Sequence, residues 1–185
     1  LISGVFLNEN IFYHKSFLFI YNLIMDNKKY FKHETAIVSD ESIIGSNTKI
    51  WHFSHIREGC EIGNDVSIGQ NVYIDTGVKI GNNCKIQNNV SIYKGVTIED
   101  NVFIGPSVTF TNDLYPEVGG WDNERLVSTL IKEGASLGAN STIICGISIG
   151  KQSLIGAGSV VTKSIKNNAM AYGNPAIVKK HNYKE

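Results

Sequence analysis

Large apolar residues recur at every sixth position, and this period constrains the fold more than any other feature of the chain. One uninterrupted run leads from Val38 to Phe110, and a second leads from Ile131 to Val161. Small or β-branched residues lie two positions before each of these. Because alternate side chains of a strand share one face, each hexad predicts a short strand with two inward residues, one small and one large.

A spacing of six is not helical, and it is shorter than the strand spacing of sandwiches and propellers. Three hexads close a triangle, so the nineteen hexads of this chain predict an all-β solenoid of about six coils, stacked at about 4.8 Å per coil. Gly commonly follows the large residue, and we expect it to supply backbone angles needed for a turn. These glycines are Gly45, Gly63, Gly69, Gly81, Gly105, Gly138, Gly150 and Gly156.

The period divides the chain into three parts. We expect a non-repeat N-terminal arm over residues 1–32, in which 1–24 are a translated upstream segment, a poorly ordered arm or a small packing element. The β-helix covers 33–164 with one long inserted loop at 111–129, and a short C-terminal cap and tail cover 165–185. The apolar stretch in 16–24 is too short to span a bilayer, so no membrane association is predicted.

Charge and cysteine content narrow the classes of function. The 17 basic and 17 acidic residues balance, which gives no electrostatic footprint for a nucleic acid. Three cysteines without a CxxC pair favour buried free thiols in a reducing compartment, and hence a cytoplasmic protein without a zinc site.

The inserted loop is where we expect chemistry, because a long excursion from a strict solenoid is typical of a functional segment. It carries polar and aromatic side chains suited to holding a sugar: Asn112, Asp113, Tyr115, Trp121 and Arg125. The alternative is a neutral surface loop or an arm that locks subunits together.

The hexads, with the ending Val161-Thr-Lys163 and Tyr172-Gly-Asn-Pro-Ala176, resemble the hexapeptide-repeat acyltransferases. That resemblance implies a left-handed parallel β-helix, acetyl-CoA as co-substrate, no required metal, and a homotrimer with sites between subunits. Five local motifs are similar to those of the nucleotide-linked 3-amino-sugar N-acetyltransferases. They are Trp51-His-Phe-Ser-His55, Ile68-Gly-Gln-Asn-Val72, Lys85-Ile-Gln-Asn-Asn-Val-Ser91, Phe110-Thr-Asn112 and Gly134-Ala-Ser-Leu-Gly-Ala-Asn140.

This resemblance implies acetylation of an amino group, at C3, of a nucleotide-linked amino-deoxysugar for surface-polysaccharide biosynthesis. One branch of the family uses UDP-linked 3-amino-hexuronates, and the other uses dTDP-linked 3-amino-3,6-dideoxyhexoses. The run Thr111-Asn-Asp-Leu-Tyr-Pro116 and Trp121 look more like the dTDP branch. A basic residue for a hexuronate carboxylate has no clear match, because Glu117 and Val118 follow the Tyr-Pro pair.

The resemblance assigns Asn112 to hold the reactive amine, with the departing thiolate taking the proton. Asp113 would accept a hydrogen bond from the amine or a sugar hydroxyl, or it is a turn residue. The loop contains no His. His52, at a corner, and His55, outward on a strand, lie two to three coils away. They are therefore poor bases, and they contact the nucleotide or sugar or are simply solvated.

The remaining substrate contacts are expected at the corners of the prism. Gln70, Gln87 and Asn88 form a polar rim, although corner Asn residues are commonly structural. Tyr93 is expected on the same prism edge, where it would stack on the base or sugar. Arg125 would meet a phosphate.

Acetyl-CoA is expected at the C-terminal coils. Small residues let a pantetheine arm approach exposed amides, and lysines face the CoA phosphates or are ordinary solvated side chains. The residues concerned are Gly138, Ala139, Ala157, Gly158, Lys163, Lys179 and Lys180.

Three other functions fit the same fold less well. An O-acetyltransferase acting on a sugar or other small hydroxyl acceptor is the main alternative, and a loop His would favour it. A γ-class carbonic-anhydrase-like enzyme needs three converging His ligands, which His52 and His55 alone do not provide. A structural or ice-binding solenoid would lack the loop and would show outward Thr rows.

Overall fold

Twenty-two short strands, most of them spaced by six residues, make up a computed structural model that describes residues 30–119 and 125–183. Strands of successive coils pair in parallel, as Lys49 does with Ser67, and only the last strand is antiparallel to its neighbour. The strands form three sheets, which are the faces of a triangular prism. The expected upstream segment 1–24 and Trp121 lie outside the described residues.

The first face has nine strands. They are β1 (Phe31–Lys32), β4 (Lys49–Ile50), β7 (Ser67–Ile68), β10 (Lys85–Ile86), β13 (Phe103–Ile104), β16 (Ser136–Leu137), β19 (Leu154–Ile155), β21 (Ala169–Tyr172) and β22 (Ile177–His181).

The second face has seven strands. They are β2 (Ile37–Val38), β5 (His55–Ile56), β8 (Tyr73–Ile74), β11 (Ser91–Ile92), β14 (Thr109–Phe110), β17 (Thr142–Ile143) and β20 (Val160–Val161). The third face has six. They are β3 (Ile43–Ile44), β6 (Glu61–Ile62), β9 (Lys79–Ile80), β12 (Val96–Ile98), β15 (Thr129–Ile131) and β18 (Ser148–Ile149).

The three edges of the prism are the corners between faces. The first edge, between the first and second faces, includes 51–54, 69–72, 87–90, 138–141 and 156–159. The second edge, between the second and third faces, includes 57–60, 75–78, 93–95, 111–128 and the residues after β20. The third edge, between the third and first faces, includes 63–66, 81–84, 99–102 and 132–135.

This architecture confirms the predicted parallel β-helix, but the coil count was too low. The structure has about eight turns, because β1 begins before the apolar period and β21 continues the first face after it. β1 falls inside the segment assigned to the N-terminal arm. β22 runs antiparallel to β21, so it covers the last parallel strand and ends the stack.

The interior consists of the two predicted rows. Large residues such as Ile50, Ile68 and Phe110 are fully buried, and each contributes about 1.5–3 kcal/mol relative to an exposed side chain. In the small row, Thr48 donates from Oγ1 to the Gly63 carbonyl at 2.8 Å and accepts from the Val66 N–H at 3.1 Å. Hydroxyls such as that of Thr48 therefore join successive coils. All three cysteines are buried free thiols, as predicted.

The expected reason for the recurring glycines was wrong. None of the eight has a positive φ. At Gly63 a Cβ would lie 2.7 Å from the backbone carbon of Gly81, so close approach of the next coil requires glycine there. The left-handed positions lie two residues further on and are often Asn, as at Asn83 and Asn101, because Asn tolerates this conformation.

The inserted loop leaves the second edge without disturbing the stack. Thr109 pairs with Thr142 across it, and Val96 pairs with Thr129. The Val127 N–H donates to the Asn112 carbonyl at 3.1 Å, which closes the base of the loop. Thr129 already belongs to β15. Within the described ranges, no helical segment has the length and hydropathy needed to cross a bilayer.

Candidate functional site

Asn112 lies where the second face ends and the loop begins. Its backbone carbonyl is held by Val127, while its side chain is half-buried. The side-chain amide makes no hydrogen bond to any residue in 30–119 or 125–183. It therefore has donor and acceptor capacity for a bound ligand.

Asp113 and Arg125 are joined inside the loop. The carboxylate lies 3.1 Å from Nη2 of Arg125, and it also accepts the Tyr115 N–H at 2.8 Å. Arg125 pairs with Glu117 at 2.9 Å and donates to the carbonyl of Tyr115. These contacts connect the two ends of the loop across twelve residues. The expected roles of Asp113 with the amine and of Arg125 with a phosphate remain predictions.

The residues predicted from the sequence divide between two edges. The second edge carries Tyr93, Asn112, Asp113, Tyr115, Arg125 and Lys163, and the first edge carries His52, Gln70, Gln87, Asn88, Gly138, Ala139, Ala157 and Gly158. His55 lies between them, outward on the second face. The expectation that Tyr93 shares an edge with Gln87 and Asn88 was wrong, because strand β11 separates them.

The side chains at the N-terminal part of the first edge contact one another. The His52 ring stacks on that of His33 with centroids 3.5 Å apart. Asn88 accepts the Gln70 N–H through its side-chain oxygen at 3.0 Å. One acceptor of the predicted polar rim is therefore engaged between coils, as the structural interpretation of corner Asn residues expects.

The small residues predicted for the thioester donor lie together at the C-terminal part of the first edge. Gly138-Ala139 and Ala157-Gly158 occupy successive coils, and the Gly158 N–H donates to the Ala139 carbonyl at 2.8 Å. Lys179 is near this edge, with Nζ 5.5 Å from the ring centre of Tyr172. Lys180, also on β22, has Nζ 3.4 Å from the Tyr183 carbonyl. Lys163 is separate, on the second edge.

Sequence reasoning missed a polar cluster on the second edge, which we call the Arg57–Asp75 network: Arg57, Glu58, Tyr73, Asp75 and Thr76. Arg57 donates to both Glu58 oxygens, at 2.7 and 3.1 Å, and lies 3.7 Å from Asp75. Asp75 accepts the Tyr73 hydroxyl at 3.1 Å, and Thr76 donates to Glu58 at 2.7 Å. Five polar side chains are thereby fixed relative to one another.

The sequence did contain a signal for this network. Arg57-Glu-Gly59 and Asp75-Thr-Gly77 occupy equivalent positions 18 residues apart, so the coil register stacks them. Hydrogen bonds from its own backbone N–H, from Arg57 and from Thr76 lower the pKa of Glu58 to about 2. Burial raises the pKa of Tyr73, whose ring centre lies 5.7 Å from that of Tyr93.

No group of three or more His, Cys, Asp or Glu side chains in the described part of the chain is arranged to hold a metal ion.

Comparison with known proteins identifies the family. The chain matches the family described as bacterial transferase hexapeptide (six repeats) over 41–76 and 77–112, and the hexapeptide repeat of succinyl-transferase over 59–94 and 130–163. It is 52% identical over 149 residues to dTDP-3-amino-3,6-dideoxy-α-D-galactopyranose 3-N-acetyltransferase of Aneurinibacillus thermoaerophilus, covering 80% of this chain and 77% of that protein. The chain belongs to the nucleotide-linked 3-amino-sugar N-acetyltransferases of the hexapeptide-repeat family. The family predicted from the sequence is confirmed.

Two solved members of the hexapeptide fold are similar in structure. Caulobacter crescentus PerB, in complex with CoA and GDP-perosamine, has a TM-score of 0.53 at 21% identity, and the match covers 82% of this chain and 57% of that one. A galactoside acetyltransferase in complex with coenzyme A has a TM-score of 0.50 at 31% identity, covering 63% of this chain and 64% of that one. The first similarity shows the fold alone.

Proposed function

We propose that the chain is an acetyl-CoA-dependent N-acetyltransferase that acetylates the C3 amino group of a dTDP-linked amino-deoxysugar in surface-polysaccharide biosynthesis. The observation that carries this proposal is the 52% identity to the A. thermoaerophilus enzyme over 77% of its length. The family, and not the loop alone, therefore supports transfer to nitrogen.

The chemistry assigned to Asn112 is positioning. Its side-chain oxygen accepts an N–H of the neutral amine, which directs the nitrogen lone pair toward the thioester carbonyl carbon. A C–N bond forms, the C–S bond breaks, and the proton lost by nitrogen is taken by the departing CoA thiolate. Because the thiolate accepts this proton, the route needs no protein base, which agrees with the lack of a His in the loop. Asp113 acts through Arg125 by holding the loop that carries Asn112.

The acetyl donor is assigned to the first edge. Stacked small residues at Gly138-Ala139 and Ala157-Gly158 leave room for a narrow pantetheine arm beside backbone amides. Lys179 lies at the same end of the prism and supplies positive charge for a CoA phosphate. A galactoside acetyltransferase of similar structure was solved with coenzyme A, which supports this class of co-substrate.

The proposed assembly is a homotrimer with sites between subunits. Within one chain, the second face separates Asn112 from the small residues of the first edge. Donor and acceptor meet if the second edge of one subunit lies against the first edge of the next, as cyclic packing of three prisms allows. Light scattering coupled to size exclusion should give three chain masses, and a monomeric active enzyme would contradict this arrangement. We assign the protein to the cytoplasm, because its three free cysteines suit a reducing compartment.

The test is a thiol-release assay with acetyl-CoA and dTDP- or UDP-linked sugars that carry an amine at C3 or C4. Turnover with the dTDP-linked 3-amino sugar is expected to exceed all others. Matched sugars with a hydroxyl at C3 test the alternative O-acetyltransferase. Absence of turnover with every amino sugar would overturn the proposal.

A further inference from the structure

The Arg57–Asp75 network lies on the same prism edge as Asn112. Strand pairing places Tyr93 one coil, Asp75 two coils and Arg57 three coils toward the N-terminus from the start of the loop. At about 4.8 Å per coil, the network is about 10–14 Å from Asn112 along the axis. A nucleotide sugar has a pentose, two phosphates and a pyranose between its base and its amine, so it reaches across several coils.

We propose that the Arg57–Asp75 network, together with Tyr93, holds the nucleobase of the acceptor. The nucleotide sugar then lies along the second edge, with its base toward the N-terminal coils and its amine at Asn112. This inference rests on the proposed function, and it adds a location for the base and a direction for the substrate.

The charge of the network selects against a phosphate. The network has two carboxylates, Glu58 and Asp75, and one guanidinium, that of Arg57, which pairs with both. Its negative charges therefore outnumber its positive charge. The low pKa of Glu58 keeps its carboxylate ionised at neutral pH. A diphosphate would be repelled by this excess of negative charge. A neutral base fits it, because a ring N–H donates to a carboxylate and a ring carbonyl accepts from a guanidinium.

Aromatic side chains lie beside the charged groups of the network. Tyr93 is 38% exposed, and its ring centre is 5.7 Å from that of Tyr73, which in turn lies 5.8 Å from His55. Base rings stack on such side chains. Lys94, beside Tyr93 and one coil from Asn112, binds Asp75 through its backbone N–H at 3.2 Å. A cationic residue is thus placed between the base and the amine, where the diphosphate would lie.

The experiment is calorimetric titration of dTDP, without sugar, into the whole chain described above. In Glu58→Gln we expect dTDP to bind about 10-fold more weakly, because a charged hydrogen-bond acceptor for the base is lost. If the network held the diphosphate, the same substitution would tighten binding, because it removes a repulsive charge. Weaker dTDP binding therefore indicates that the network contacts the base, and tighter binding indicates that it contacts the diphosphate. Tyr93→Ala should weaken binding about 10-fold through lost stacking.

Glu133→Gln is the matched control, since Glu133 pairs with Lys151 at 2.7 Å on the third edge. It should leave dTDP affinity unchanged, and all variants should keep the wild-type affinity for acetyl-CoA and the wild-type melting profile. Unchanged or tighter dTDP binding in Glu58→Gln, or wild-type binding in Tyr93→Ala, would overturn the inference. Absence of acetyl transfer with these binding results intact would overturn only the proposed function.

Discussion

The carboxylate of Asp113 and the guanidinium of Arg125 are 3.1 Å apart, with only 13% and 21% of the two side chains exposed. They lie near opposite ends of the inserted loop, twelve residues apart. This ion pair therefore connects the two ends of the loop beside Asn112.

The first prediction concerns this pair. Asp113→Asn and Arg125→Ala should each raise the KM for the nucleotide sugar about 10-fold, with little change in melting temperature, because the coils pair independently of the loop. If the pair acts as a unit, the double variant should be no worse than either single variant. Steady-state kinetics of the three variants measure this. Additive losses would show instead that each residue contacts the substrate separately.

Asn112→Ala should lower kcat about 100-fold, because it removes the group that orients the amine. The KM for acetyl-CoA should not change, since the donor is assigned to another edge. Thiol release under saturating co-substrates measures the effect. Thr97→Ala, a small polar residue on the third face, is the control and should retain full activity. Wild-type kcat in Asn112→Ala would remove Asn112 from the mechanism.

Gly63→Ala should destabilise the fold by about 1–3 kcal/mol. The added Cβ would meet the backbone of the next coil at 2.7 Å, and backbone cannot rotate away as a side chain can. Gly77→Asn is the informative contrast. Gly77 has φ +69, and a Cβ there meets no atom of the described chain within 4 Å, so Asn should be tolerated. Equal melting temperatures for the two variants would show that close approach is not the constraint.

Two serines of the same inward row should respond differently to removal of the hydroxyl. Ser153 donates to the Lys166 carbonyl at 2.7 Å, and Ser153→Ala should cost about 1 kcal/mol. The buried Ser141 hydroxyl has no partner among the described residues. It differs in this from Ser159 of the same row, which donates to the Gly156 carbonyl at 2.7 Å. Ser141→Ala should therefore be neutral or stabilising. Chemical denaturation of both variants tests this, and a larger loss for Ser141→Ala would contradict it.

The stabilising contribution of Glu58 should depend on pH. Its pKa is lowered from 4.5 to about 2 on folding, so the ionised form is favoured in the folded state and stabilises it above pH 4.5. That contribution is lost as pH falls from 4.5 to about 2. The difference in melting temperature between wild type and Glu58→Gln should be constant near neutral pH and shrink across this window. A difference that persists at the acid end would refute the assignment.

Much of the fold was predictable, because every coil repeats the same pattern of one small and one large inward residue per strand. The burial of Ile50, Ile68 and Phe110 follows directly from their six-residue spacing. The first and last coils were not predictable from it. β1 and β21 extend the first face by backbone pairing, which imposes weaker demands on residue type than the interior does.

The site was harder to predict, because the number of residues along the chain, and not the residue type, decides on which prism edge a side chain lies. Asn112 was found through the break in the period. Tyr93 was placed on the wrong edge, although its position after β11 decides it. The Arg57–Asp75 network was missed because neither Arg57-Glu58 nor Asp75-Thr76 is distinctive alone. Only stacking at 18 residues joins them.

Pairing across the loop has a consequence for how proteins of this kind diversify. Thr109 pairs with Thr142, and Val96 pairs with Thr129, so the strand register is the same on both sides of the insertion. Insertions at such a corner change length and chemistry without changing the partners of any strand. Acceptor preference can therefore drift, or be exchanged by grafting a loop from another solenoid, while the scaffold keeps its thermodynamic stability.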